Sequence, residues 1–181
     1  VRARFLGPVE NVEALGDALG LARPPKIIEC FDVSHLSGTS MTASMVRFED
    51  GKPDKSNYRR FKIRAVSKVD DFAAIKETVS RRYARLQKEK AEMPDLIVID
   101  GGKGQLSSAK KSLEELDLDI PIISLAKQFE EIFMPGRGEP IRLAKKSKAL
   151  HLLQAIRDEA HRFAIKYNRL LRKKKIRDDK L

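Results

Sequence analysis

The stretch Leu96-Ile97-Val98-Ile99-Asp100-Gly101-Gly102-Lys103-Gly104-Gln105 decides the fold. Four consecutive apolar residues, three of them β-branched, read as a strand buried on both faces, which is the pattern of a parallel sheet. A carboxylate closes the strand and glycines turn the chain at once, so the next helix starts at the carboxyl end of the sheet, where open α/β folds place their ligands. Residues 106–117 carry that helix, and Ile120-Pro121-Ile122-Ile123-Ser124-Leu125 repeats the strand pattern beyond it. Upstream, Asp70-Asp71 opens another helix, with Phe72, Ile75, Val79, Tyr83 and Leu86 at helical spacing and Pro94 closing the region. The series from residue 70 therefore reads helix, strand, helix, strand, with right-handed crossovers packing the helices on the sheet.

Further out in both directions the pattern changes. Residues 26–33 (KIIECFDV), 40–50 (SMTASMVRFED) and 56–64 (SNYRRFKIR) read as three sequential antiparallel strands, the last two joined by Asp50-Gly51-Lys52-Pro53-Asp54. Residues 1–25 form a lead-in packed on the main body, with a short helix pattern at Val12, Leu15 and Leu19 stopped by Gly20 and Pro24-Pro25. After the second parallel strand, residues 131–134 and 140–143 read as a small hairpin. Leu153, Ile156, Ala160, Phe163, Ala164, Tyr167 and Leu171 trace one face of a long C-terminal helix. This order is that of an α/β, ribonuclease-H-like mixed five-stranded sheet flanked by helices, with an extra hairpin and a long last helix. The main domain is expected over 26–175, and 176–181 as the start of a linker.

Composition narrows the partners. The 181 residues are 41% hydrophobic and 35% charged, which excludes a disordered polyampholyte and a membrane protein alike. No apolar run approaches the roughly 20 residues that span a bilayer, and VRARFLGPVE at the start lacks the apolar core of a signal peptide. A net charge of +11 points to a polyanion. The absence of tryptophan and of an aromatic amphipathic helix turns that expectation from membranes toward nucleic acid. Aromatics at 6% and no recognition motif favour contact with the backbone over reading of bases. One cysteine, Cys30, provides neither a disulfide framework nor a zinc pair and fits a reducing cytoplasm.

Two carboxylates stand out. Asp32 shares a strand face with Ile28 and Cys30, where a lone charge costs several kcal/mol unless a cation compensates it. Asp100, 68 residues later, closes the buried strand. Brought to neighbouring strand ends they would suit a hard divalent cation; the plain alternatives are a turn cap or a surface-lysine partner at Asp32 and a tight strand-to-helix turn at Gly101-Gly102. The latter has no Walker spacing, which argues against a nucleotide-binding phosphotransferase. His161 borders the buried face of the last helix and is either a packed structural residue or a metal ligand and proton carrier. His35 and His151 have no carboxylate partner in the pattern. Helix capping explains one of Asp70 and Asp71. Basic clusters lie at Arg59, Arg60, Lys62 and Arg64, at Arg81 and Arg82, at Lys145, Lys146 and Lys148, and at Arg169 and 172–175.

The strings ECFDVSH from Glu29, ASMVRFEDGKPDKSNYRRFKI from Ala43, DDFAAI from Asp70, IDGGKGQL from Ile99, LAKQFEEIFMPG from Leu125 and HLLQAIRDEAHRFAI from His151 together resemble the C-terminal endonuclease region of the UvrC family of bacterial excision-repair excinucleases. The likeness covers residues 5–175. It implies a ribonuclease-H-like fold and a Mg²⁺- or Mn²⁺-dependent endonuclease that makes the incision on the 5′ side of a DNA lesion. It also implies an Asp-Asp-His set at Asp32, Asp100 and His161, which would hold the metal, with Asp71 as a further residue of that incision. The cations expected on DNA phosphates are Lys103, Arg59, Arg60, Arg81, Arg162 and Arg172. Whole members of the family carry a GIY-YIG nuclease, a segment binding the UvrB protein and a helix-hairpin-helix pair, none of them visible here. The expected partners are damaged double-stranded DNA and, through those other parts, UvrB. The isolated domain is expected to be monomeric and a weak nuclease. The competing expectation is a non-catalytic, basic DNA-binding or scaffold domain whose acidic site has decayed.

Overall fold

A computed structural model describes residues 2–38, 40–64 and 69–180; Val1 and Leu181, the ends of the lead-in and linker readings, lie outside it. Helix α1 (Arg2–Leu19) precedes strands β1 (Ile27–Ser37), β2 (Ser40–Glu49), β3 (Lys52–Pro53) and β4 (Arg59–Lys62). Helix α2 (Asp71–Glu89), β5 (Leu96–Asp100), α3 (Lys103–Glu115), β6 (Ile122–Ala126), β7 (Glu131–Phe133) and α4 (Lys148–Asp179) follow. The sheet runs β3-β2-β1-β5-β6-β7, with β4 beside β3 on the same edge of β2. β1, β5 and β6 are parallel, and the outer pairings are antiparallel.

The mixed α/β fold is the expected one, with two strands more than the five read from the sequence. The turn proper is Asp50-Gly51, both at positive φ (53° and 78°), the geometry of a two-residue hairpin. Lys52 and Pro53 therefore still pair with β2. Asp54 then accepts from Asn57 at 2.7 Å and pairs with Arg47, which pulls the chain into a 3₁₀ turn before it returns as β4. The first arm of the expected small hairpin is also part of the sheet: β7 pairs antiparallel with β6, while Ile141 makes a single bridge to Ile132. Helix α1 is longer than its apolar pattern, beginning ten residues before Val12 and holding Pro8 within it. Helix α4 runs unbroken to Asp179, through most of the stretch read as a linker.

Alternation along the strands divides the interior into two cores. Ile28, Cys30, Val46, Leu96, Val98, Ile123 and Leu125 face α1 and α4, meeting Leu15, Leu153, Ile156 and Ala160. Phe31, Met45, Ile97, Ile99 and Ile122 face α2 and α3, meeting Ile75, Val79, Tyr83 and Leu113. Each fully buried side chain of this size contributes about 1.5–3 kcal/mol, so the docking of α4 on the first face is a strong constraint on what α4 carries. That docking continues at the sheet edge, where Thr42 donates to Asn168 at 2.8 Å and Tyr58 meets the Phe163 ring edge-on at 5.0 Å.

Candidate active site

The β1–β5 pairing ends at Phe31↔Ile99, so Asp32 and Asp100 are the next residues on adjacent parallel strands, and both point to the α4 face. The sequence reading placed Asp32 at the end of its strand. β1 in fact continues to Ser37 because β2 keeps pairing with it, and what ends at Asp32 is the contact with β5. Asp100 does close its strand, and Gly101 (φ 155°) donates to Leu125 O at 3.1 Å as the chain turns away. Gln105 closes the turn by accepting from Gly102 N at 3.0 Å.

Asp32 is 6% exposed, and its buried Oδ2 has no hydrogen-bond partner. Burial, with the charge of Asp100 next, pushes its carboxyl up to about 6; His161 and Lys127 oppose the rise. Asp100 is also raised by burial, against the pull of Lys127, Arg157 and His161. His161 comes from α4, one turn after Arg157 and beside Ala160, and its Nδ1 lies 3.6 Å from Asp32 Oδ2 with the ring half exposed. Cys30, on the same face, is fully buried and its thiol is raised by burial, so it supplies no thiolate.

Among the described residues, no three His, Cys, Asp or Glu side chains are gathered closely enough to hold a metal ion by themselves. The donor set is instead a buried carboxylate, Asp32, and a partly buried one, Asp100, with an imidazole at their rim. A small hard cation fits this set, since it takes one or two carboxylates and completes its shell with water and substrate oxygens. The Oδ2 of Asp32, which makes no hydrogen bond, is the atom most in need of such a charge.

The remaining predicted residues divide. Asp70 caps α2, accepting from the Phe72 and Ala73 amides at 3.1 Å each. Asp71 is exposed in the first turn, and no hydrogen bond or ion pair joins it to Asp32, Asp100 or His161. Its neighbour Phe72 does pack on Gly104, where a Cβ would come within 2.5 Å of the ring, so this helix start stands beside the turn after Asp100. Arg59, Arg60, Arg81 and Arg162 gather around β4. Arg59 donates to Tyr58 O, and Arg60 lies 4.7 Å over Phe163. Arg81 donates to Lys62 O, and Arg162 grips Glu159 with two nitrogens. Arg172 is exposed further along α4, and Lys103 is apart from all of these, bonded to Gly138 O and 5.7 Å over Phe133. Arg82, grouped with Arg81 by the sequence, is internal: it donates to Glu29 Oε2 at 2.7 Å beside Tyr83 O–H at 2.8 Å, all three buried. His35 bonds to the Gly38 carbonyl and His151 to the Lys145 carbonyl.

Three residues near the carboxylates escaped the sequence reading: Lys127, Glu130 and Arg157. Lys127 directly follows β6, at the same end of the sheet as Asp100, and the strand-end rule that singled out Asp100 applies to it as well. Arg157 precedes His161 by one helical turn and donates to Glu130 Oε2 at 2.7 Å. Glu130 holds a left-handed backbone (φ 51°), which nothing in its local sequence announces.

Residues 16–165 match the model of the UvrC RNase H endonuclease domain. The chain belongs to that family. The UvrABC system protein C of Methanosarcina mazei is 58% identical over 174 residues, 96% of this chain and 33% of the relative. That of Methanospirillum hungatei is 59% identical over the same length, again 96% and 33%. The chain thus spans about a third of the length of these relatives. Among solved structures, Ciona intestinalis Endonuclease V in complex with a 24mer DNA matches with a TM-score of 0.45 at 16% identity, over 87% of this chain and 66% of that one. Family membership bears out the resemblance seen in the motifs from ECFDVSH to DEAHRFAI and the fold that it implied.

Proposed function

We propose that this chain is a divalent-metal-dependent endodeoxyribonuclease domain that makes the 5′ incision beside a lesion in nucleotide excision repair. The observation that carries the reading is the buried Oδ2 of Asp32, which makes no hydrogen bond, next in register to Asp100 and 3.6 Å from His161. A folded protein keeps two carboxylates against their desolvation cost when something cationic compensates them. Asp32 and Asp100 would hold Mg²⁺ or Mn²⁺, which when bound supplies Lewis-acid activation of water and of the phosphate.

The protein's own residues do the rest. Nδ1 of His161 faces Asp32, so Nε2 is the atom available to take the proton of a water attacking phosphorus, and the P–O bond that breaks leaves its oxygen to be protonated. The arginines around β4 and Arg172 on α4 would neutralise backbone phosphates, with Lys103 on the other side of the turn. Asp71, exposed at the start of α2, would act from the rim. Lesion recognition and the contact with UvrB belong, in this reading, to the other two thirds of the full-length relatives.

The test is Mn²⁺-dependent nicking of supercoiled plasmid at low salt, so that weak phosphate contacts still hold DNA. The chain is compared with its Asp100→Asn variant. Nicking lost in the variant supports the reading; equal nicking by both refutes it.

A further inference from the structure

Arg157 puts a permanent cation next to the acid pair whose opening to a divalent ion the proposed function requires. Its side chain is 13% exposed, it stands one turn before His161, which lies 3.6 Å from Asp32, and its charge is close enough to Asp100 to pull that carboxyl's pKa down. A guanidinium there has two uses for its donors. It can fork onto the Asp100 carboxylate, the strongest pairing available to such a group, or it can be held elsewhere. Here it is held elsewhere: Nη1 is 2.7 Å from Glu130 Oε2, and among the described residues the other acid paired with it is the exposed Asp158 at 3.7 Å. Glu130 reaches it from a backbone in the left-handed region, φ 51°, at the end of the 3₁₀ turn after β6. A non-glycine residue stays in that region when its surroundings over-determine it.

We propose that Glu130 is a positioning residue that holds Arg157 off Asp100 and so keeps the acidic pair free for a divalent cation. The inference rests on the metal reading above but makes a separate statement about it. Without Glu130, Arg157 competes with the metal for Asp100. Without Arg157, Glu130 has nothing to hold, and its removal costs little. A simple loss of one negative charge near the site would weaken cation binding equally in both backgrounds, so the two causes separate in a double-mutant cycle.

The experiment is Mn²⁺ binding by the DNA-free chain, read by the electron paramagnetic resonance signal of free Mn²⁺. The chains are the unsubstituted protein, Glu130→Gln, Arg157→Gln and the double variant, each checked by thermal melting. Glu130→Gln is expected to weaken binding about tenfold, as unmasking one charge in a partly buried site does, and the double variant to bind within about threefold of Arg157→Gln. Unchanged binding by Glu130→Gln overturns the inference, as does the same tenfold loss in the Arg157→Gln background. Where Arg157→Gln fails to fold, Arg157→Met keeps the volume of the side chain and completes the cycle. An unsubstituted chain that binds no Mn²⁺ overturns the metal reading and this inference with it, whereas binding that ignores Glu130 overturns this inference alone.

Discussion

Replacing Asp32 by asparagine should make the metal-free protein more stable, in a way that pH switches on. The carboxyl is raised from 3.8 to about 6 by burial and by Asp100, so its ionised form is disfavoured in the folded chain. Well below pH 3.8 the group is protonated folded and unfolded, and it costs nothing. Between 4 and 6 the unfolded chain ionises while the folded chain still holds the proton, and stability falls as pH rises. Above 6 the penalty is constant at about 3 kcal/mol, taking about 1.4 kcal/mol per tenfold. The side chain is 8% exposed, so solvent screens little of this. Asparagine cannot ionise and keeps the shape. At pH 8 the Asp32→Asn chain should therefore melt roughly 6–12 °C above the original, at about 2–4 °C per kcal/mol for a protein of this size. The difference should vanish well below pH 3.8 and narrow at pH 8 when Mn²⁺ is added, because the cation stabilises only the chain that binds it well. Differential scanning calorimetry at pH 4, 6 and 8, with and without Mn²⁺, measures all of this. A gap of equal size at pH 4 and pH 8, or none at pH 8, would refute the claim that Asp32 is held as a desolvated acid.

Four other substitutions probe separate parts of the molecule. His161→Ala removes a half-exposed ring and should leave the urea midpoint within about 0.5 kcal/mol while lowering plasmid nicking about 100-fold or more; undiminished nicking would remove His161 from the chemistry. Arg82→Met strands the buried carboxylate of Glu29 and should cost about 3–5 kcal/mol in urea, whereas a loss below about 1 kcal/mol would mean that Tyr83 and Arg47 satisfy Glu29 unaided. Gly51→Ala drives a Cβ to within 2.6 Å of the Pro8 carbonyl at φ 78°, while Gly136→Ala has the same φ and open space. Only the first should lower the stability in urea by more than the roughly 1 kcal/mol that a left-handed alanine costs, and equal losses would show that α1 does not press on this turn.

The parallel half of the fold was legible because LIVID has no polar side to misplace: only a strand covered on both faces carries such a run. Alternation also gave the correct face for Asp32, alongside Ile28 and Cys30. Its convergence with Asp100 was not legible, since the pattern gives each strand's faces and not which strands are neighbours. Membership of β7 in the sheet was hidden for a similar reason, because Glu131-Ile132-Phe133 alternates in the same way in a free hairpin and on a sheet edge. Arg82 carried a readable signal. Val79, Arg82, Tyr83 and Leu86 lie on one stripe of α2, and Glu29 alternates with Phe31 toward that helix, so an internal ion pair followed from two periodicities taken together. Glu130 carried none, because its left-handed backbone has no local signature and its partner Arg157 lies 27 residues further along the chain.

Strand β1 buries an acid on each side, Glu29 toward α2 and Asp32 toward α4, and this makes its alignment self-correcting. A slip of one residue against β2 and β5 would exchange the two sides. Glu29 would then enter the apolar layer of Leu153 and Ile156 without Arg82 or Tyr83, at a cost of several kcal/mol. An all-apolar strand would tolerate that error far better, so the charges that weaken the finished sheet also guard it against being assembled out of step.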